Sequence, residues 1–571
     1  MPFFTTPRSA QPATTIPITY VDILYDHAGY LRANNGLLGD GNLAGKSVAI
    51  VGAGPAGLAA GYLLSSMNAS VTIFEQDQAR AGGRIYTWQP VPGNPALFEM
   101  GAMRVPPSEQ VFQYFAKLFR VRPGGQFPDP GKVFTQIVFE NQTYDWHPTD
   151  LKPPAIFATV SKAWDNFAGS STLQSLTQNL TDPSTFGAAQ QTWQQLIYGP
   201  ASPGPEQGYS TISFYQGLVQ AFVENYQAYG LQQPWGEEEF ALFGALGLGS
   251  GGFGPLYQVN FAEIVRLVVN GLETDQQFYP GGLSDLIDGF LYSQLPNGNM
   301  LTSAIQFQTP IQSVQALQGG QVQVTPAGGG AAMTFDAAIV ATTTRSMQVD
   351  MGLTDPPSGA LVLSPDQNTA IREMHLMNSS KLFVLTRSKF WLPPAGQPAT
   401  LPANIQTDGL VRGLYCLDYG QNTEYGVVLI SYTWGDDSTK YIAIKDPAQR
   451  LSILLGSLQA AVPDFVNALT AQILPEYTFM IDWQDQPSYY GAFKLNYPGQ
   501  DPLNQILYNQ FLQSTNGIYL AGDSVGWCGG WIEGALQTGV NAAAAAANQL
   551  GGNLFPNNPM TQNPSLYQYG P

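Results

Sequence analysis

Apolar positions along the chain follow two different periods, and the switch between them outlines the fold. Between residues 46 and 75 a continuous apolar run, KSVAIV, leads into a glycine-rich turn, then LAAGYLLSSM with helical spacing, then a second run, SVTIFE. Continuous apolar runs bounded by turn residues predict strands covered on both faces, so this is a βαβ unit and implies a parallel sheet with a right-handed crossover. From about residue 150 to 275 the pattern turns helical, most clearly in STISFYQGLVQAFVENYQAY and VNFAEIVRLVVNGL. Short strands return at MLTSAIQF, QVQVTP and DAAIVAT, and a mixed region follows with YGVVLISYTW as a strand and RLSILLGSLQAAV as a helix. The C-terminal part reads as a strand in NGIYLAGDS, a tight loop, and a helix from WIEGALQTG to about Leu550, whose alanines 542–547 read as plain helix propensity. Residues 1–45 read as irregular, the Asn- and Pro-rich tail after Gly551 as loose, and no internal repeat is found.

Composition narrows the class. A chain of 571 residues is too long for one ordinary core, and 44% hydrophobic with 12% aromatic residues excludes a disordered chain. A net charge of −18 excludes a nucleic-acid partner, whose phosphates require a basic patch. The two cysteines, Cys416 and Cys528, have no metal-ligand spacing and are expected as reduced thiols, with no metal site. His27, His147 and His375 carry no evident chemistry. The start lacks a charged segment followed by an apolar one, and no apolar run is long enough for a membrane span, so the expectation is a cytoplasmic protein without a membrane partner.

The chemistry lies in the turn of the βαβ unit. Gly52-Ala53-Gly54-Pro55-Ala56-Gly57 matches G-x-G-x-x-G between a strand and a helix, and Glu75 ends the second strand 23 residues after Gly52. Gly52 permits the tight turn, Gly54 admits the pyrophosphate to the backbone, and Gly57 lets helix pack on strand; the helix amides face the phosphates and Glu75 accepts from ribose hydroxyls. Arg80, Gly82, Gly83 and Arg84 follow closely and add amides and a guanidinium for the pyrophosphate, which favours FAD over NAD. A second glycine run, residues 247–256, lacks a preceding strand and an acidic strand end, and reads as a flexible connection. With no nicotinamide module and no redox-active cysteine pair, electrons are expected to pass to oxygen or another small acceptor.

Taken with VAIVGAGPAGLAAGYLL, AGGRIYT, GAMRVP, GGLSDLIDGF, SSKLFVLTRSKFW, YYGAFKLNYPGQ and IYLAGDSVGWCGGWIEGALQTG, nearly the whole chain resembles the flavin amine oxidase superfamily. Within it the chain is similar to L-amino acid oxidases and bacterial phenylalanine and tryptophan 2-monooxygenases. The resemblance implies an α/β protein: a Rossmann-like FAD-binding domain (46–105 with 278–345 and 484–550), a mixed-sheet substrate-binding domain (1–45 with 106–149 and 346–483) and a helical insertion (150–277). Besides the turn and loop residues, it implies cofactor contacts at Gln76, Gly101, Ala102, Met103, Arg104, Trp483, Gly522, Asp523, Trp531 and Ile532. The helix beginning near Gly530 to Glu533 points its positive end at the flavin ring.

For the substrate, the resemblance puts an α-carboxylate on Arg104, whose planar guanidinium gives two parallel hydrogen bonds, with Tyr415 supplying another or only packing. Lys381 holds a water beside the flavin, the Gly530 carbonyl accepts from the substrate amine, and Trp531 walls the pocket, with Trp483 and Tyr490 as further aromatic walls. Ala492 stands where covalently flavinylated relatives carry a cysteine, so FAD is expected to be non-covalent. The expected activity is oxidation of a large apolar or aromatic L-amino acid by oxygen to a 2-oxo acid, ammonia and hydrogen peroxide, in a homodimer. Two alternatives stand beside it: a 2-monooxygenase that yields the amide, and a binding protein like the Rab-type GDP dissociation inhibitors, with a degraded flavin site.

Overall fold

The computed structural model describes residues 16–40, 42–199, 208–246, 252–295, 297–356, 361–420 and 423–561. At its centre lies a five-stranded parallel sheet ordered Ile518–Leu520, Ala337–Val340, Ser47–Val51, Ser70–Phe74, Ile305–Gln306. Ala337–Val340 is buried at every position and Ser47–Val51 at all but the first, as strands covered on both faces require. Helices Pro55–Ser66 and Ile532–Gln549 pack against each other beside this sheet. Ala542–Ala547 are at most 1% exposed, and a Cβ on Gly539 would lie 2.5 Å from the Ala56 carbonyl. The alanine run is therefore a close-packing surface, which corrects its reading as propensity alone.

The second sheet has seven strands in the order Ile473–Asp482, Ser379–Thr386, Gly426–Trp434, Gly413–Leu417, Asn404–Thr407, Thr135–Phe139, Gln142–Trp146. Only Asn404–Thr407 and Thr135–Phe139 run parallel, so the sheet is mixed. Helices between Ala158 and Val269 enclose a separate aromatic core containing Trp164, Trp193, Phe214 and Phe243. The architecture is α/β with a mixed second sheet and a helical part. Among the described residues no helix is long and apolar enough to cross a membrane.

Local readings fail where side chains interrupt the backbone pattern. The stretch 210–229 is not one helix: a π-turn at Gln220–Glu224 breaks it, and Asn225 bonds back to the Gln220 carbonyl through its Nδ2 at 2.9 Å. MLTSAIQF forms a 3-10 turn at Leu301–Ala304 and is a strand only at Ile305–Gln306. Part of the first 45 residues is ordered as the helix His27–Ala33, capped by Asp26, while residues 1–15 lie outside the described residues. The tail packs as far as Thr561: Phe555 N–H donates to the Leu38 carbonyl and Asn558 Nδ2 to the Tyr30 hydroxyl; residues 562–571 lie outside the described residues. In the run 247–256, residues 247–251 also lie outside them, and the remainder is packed, with Phe253 fully buried. Both cysteines are free and buried.

Candidate active site

Beyond the carboxyl ends of the parallel strands, at Val51, Phe74 and Ala341, lies a cavity of about 340 Å³. It sits where neighbouring strands connect to either side of Ser47–Val51, the crevice in which such sheets bind ligands. Gly54, with open space where a Cβ would stand, Pro55 and Ala56 bring the first turn of the helix onto this cavity. Glu75 also lines it, with Oε2 accepting from Ala53 N–H at 2.9 Å and Oε1 from Asp77 N–H at 3.0 Å. Each oxygen keeps a lone pair for a hydroxyl donor. Burial raises the Glu75 pKa, with the two amides and Arg80 opposing. A pyrophosphate on the helix amides and a ribose on Glu75 fit these groups, so the residues present suit a dinucleotide.

The far end of the cavity is built differently. Arg84 pairs with Asp523 and donates to the Ala492 carbonyl at 2.8 Å, so both charged groups line the cavity already held in place. Gly52, Gln76, Gly83, Gly101, Ala102, Gly522 and Ile532 line it as well. Trp483 is fixed by its indole N–H on the Met100 carbonyl at 3.0 Å. Lys381 Nζ donates to the carbonyls of Glu99 at 2.9 Å and Gly101 at 2.5 Å, leaving one N–H toward the cavity it lines. Burial lowers its pKa to about 7, against the pull of Glu99 and with the help of Arg104.

A recess of about 70 Å³ shares Ala102, Tyr432, Phe493, Gly530 and Trp531 with the main cavity. Arg104 stands in it, 8% exposed, with Nη1 3.5 Å from Asp129 Oδ1. Burial works against its charge, yet Glu273 and Asp129 outweigh that and raise its pKa. Leu256, Ile264, Leu267 and Trp434 add apolar lining, and Glu109 lines the recess as well. Gly530 has φ +82°, a conformation that side-chain-bearing residues rarely adopt, and a Cβ there would crowd Phe493 at 3.3 Å. One end can therefore hold a flat dinucleotide, and the other a small molecule with an anionic group and an apolar body.

Several expected contacts fall elsewhere. A Cβ on Gly57 would meet the Gly52 carbonyl at 2.0 Å, so this residue serves helix–strand packing and does not line the cavity. Arg80 faces away: it donates to the Gly83 and Ile85 carbonyls and the Tyr489 hydroxyl and pairs with Asp77, bracing the loop from behind. Gly82 turns that loop against Ile287. Met103 and Arg104 line the recess only. Tyr415 lines neither space; it is fully buried, its ring 5.1 Å from that of Phe127. Tyr432 takes the pocket-facing position instead, opposite Lys381 in the sheet register and with Lys381 Nζ 4.8 Å from its ring centre. Tyr490 bonds Asp350 through its hydroxyl and is replaced as a wall by Tyr489. Sequence reading also missed Phe493, Trp434, Asp129 and Glu273. Only the pairing of Lys381 with Tyr432 would have singled out the tyrosine, because its own strand reads simply as buried.

A dinucleotide crevice that opens into a recess with a guanidinium marks the class as a cofactor-dependent enzyme of small molecules. The chain belongs to the flavin-containing amine oxidoreductase family, whose model matches residues 55–547. It is 36% identical over 568 residues to tryptophan 2-monooxygenase of Pseudomonas savastanoi, covering 96% of this chain and 98% of that one. The tryptophan 2-monooxygenase of Pantoea agglomerans pv. gypsophilae is 37% identical over 583 residues, with the same coverage. Cyclohexylamine oxidase from Brevibacterium oxydans shares the fold, with a TM-score of 0.62 at 16% identity over 88% of this chain and 98% of that structure.

Proposed function

We propose that the protein converts a large aromatic L-amino acid, with L-tryptophan the leading candidate, and oxygen into the corresponding amide, carbon dioxide and water, using non-covalently held FAD. The observation that carries this reading is the buried Arg104 at the end of a recess continuous with the cofactor cavity. A plain amine has no carboxylate for a guanidinium lining that recess to hold. Near-full-length similarity to two tryptophan 2-monooxygenases supports the amide over the 2-oxo acid, ammonia and peroxide of an oxidase. The flavin, when bound, supplies the two-electron oxidant and the route to oxygen.

The chain's own residues orient and protect. Arg104 holds the α-carboxylate by two N–H donors, the Gly530 carbonyl accepts from the amine, and Trp531, Phe493 and Trp434 enclose the side chain. Lys381, poised near neutrality, can hold or release a proton at Nζ beside the shared wall of the two spaces. Neither cysteine lines the cavity, and Ala492 does, which supports non-covalent attachment. The binding-protein alternative is disfavoured because Glu75, Arg84, Lys381 and Asp523 line one cavity together. A colourless protein that cannot be reconstituted with FAD would restore it. The test of the main reading is product analysis: L-tryptophan with the holoenzyme in air is expected to give indole-3-acetamide, and a 2-oxo acid with stoichiometric ammonia would return the oxidase reading.

A further inference from the structure

Arg104 is not waiting as a bare cation. Asp129 reaches it from the loop after Phe127, and Glu273 lines the recess from the segment after Leu272. Glu273 and Asp129 are the two carboxylates that act most strongly on the guanidinium. The two loops are tied together: Phe127 N–H donates to the Gln276 carbonyl at 2.8 Å, and Lys132 lies 3.7 Å from Asp275. Gln276 Nε2 donates to Glu273 Oε2 at 3.0 Å. The other titratable groups around Arg104 are Tyr415 and Tyr432, whose hydroxyls burial keeps protonated, and Glu109, which lines the same recess and whose pKa burial and the neighbouring Glu533 push well up, so that it stays neutral.

A substrate carboxylate entering this recess would be the third carboxylate around one buried guanidinium. Three negative charges and one positive charge in a low-dielectric space are unfavourable, and the system relaxes most readily when one carboxylate takes a proton. We infer that Glu273 and Asp129 form a proton-accepting counter-ion pair for Arg104, so that a substrate carboxylate enters the recess together with one proton. This rests on the reading of Arg104 as the carboxylate anchor. The proton comes from solvent and forms an O–H bond on a carboxyl oxygen of Glu273 or Asp129. Burial raises Glu273 to about 7, with Asp129 adding and Arg104 opposing, and raises Asp129 to about 6 against Arg104 and Lys132. Both are thus ionised above neutrality and free to accept. Below about pH 6 they are already neutral, Arg104 is unopposed, and no proton need be taken up.

The test uses the FAD-loaded enzyme and two unreactive probes, indole-3-acetate and indole-3-acetamide, titrated calorimetrically in two buffers of different ionisation enthalpy. At pH 7.5 indole-3-acetate is expected to bind with uptake approaching one proton, falling toward none at pH 5.5, and the uncharged acetamide with none. Its Kd should rise by up to about tenfold per pH unit above neutrality, the limit for one linked proton. Glu273→Gln should cut the uptake by at least half and flatten that slope; Asp129→Asn should remove the smaller remainder. Binding of indole-3-acetate that depends on Arg104 yet takes up no proton at pH 7.5 would overturn the coupling alone. Binding equally tight to Arg104→Ala would overturn both the coupling and the carboxylate anchor.

Discussion

Replacing Arg104 by alanine removes the only guanidinium that lines the recess among the described residues. In the wild-type protein this group is 8% exposed and 3.5 Å from Asp129, so its bonds to a carboxylate would form largely out of water. Truncating one partner of a buried, hydrogen-bonded charge pair costs about 2–5 kcal/mol. At about 1.4 kcal/mol per factor of ten, kcat/KM for L-tryptophan should fall by about 30-fold to about 4,000-fold. Arg104→Lys keeps the charge and loses the fork, so a loss near the low end, about 10- to 100-fold, is expected. Steady-state oxygen uptake over a range of L-tryptophan concentrations measures both variants. Tryptamine, which lacks the carboxylate, is the control: its rate should change little, so the preference for tryptophan over tryptamine should collapse by the same factor. An Arg104→Ala enzyme that keeps kcat/KM within threefold of wild type would refute the pose.

Lys381 is charged below its pKa of about 7 and neutral above, so kcat/KM for oxygen should fall as pH rises through neutrality. Lys381→Met should lower that parameter by about 100-fold, the scale of one buried electrostatic group, and remove this limb of the profile; an unchanged profile would exclude the lysine. Glu75→Gln exchanges a charged acceptor for a neutral one, and FAD release on dilution, followed by flavin fluorescence, should show a Kd weakened about 10- to 100-fold. Stability depends on a different cluster: Arg266 bonds Asp22 at 2.8 Å and Asp501 at 2.5 Å and lies 3.6 Å from Glu263, all buried. Arg266→Met strands Asp22 and Asp501, while Glu263 keeps Lys494 at 3.2 Å, and should destabilise the protein by about 3–5 kcal/mol in urea unfolding; a wild-type midpoint would mean the cluster contributes no net stability.

What could be read from the sequence was what depends on neighbours in the chain. The turn Gly52 to Gly57, the acidic strand end at Glu75 and the helix after Gly530 obey backbone rules acting within a few residues, and the structure brings these segments to one cavity. Arg84 and Asp523 were picked separately as cofactor residues, yet their mutual ion pair spans 439 residues and no local rule joins them. Tyr415 shows the limit most clearly. It stands in an apolar run two residues after a glycine, as a pocket tyrosine would, but which point along the sheet face reaches the cavity is decided by strand pairing. Tyr415 pairs with Leu429, itself opposite Phe383, so it shares a sheet face with Lys381 and Tyr432 but sits farther along it, in an aromatic core with Phe127, whereas Tyr432 pairs with Lys381 and lines the cavity. The two tyrosines differ in their place along one face, and only the strand pairing shows which of them stands beside Lys381. The same holds for Asp129 and Glu273, which lie 144 residues apart in sequence and meet only because the loops after Phe127 and Leu272 are tied by the Phe127–Gln276 bond. Their convergence on Arg104 turns a residue that reads as a simple anchor into one whose charge is already shared before any substrate arrives.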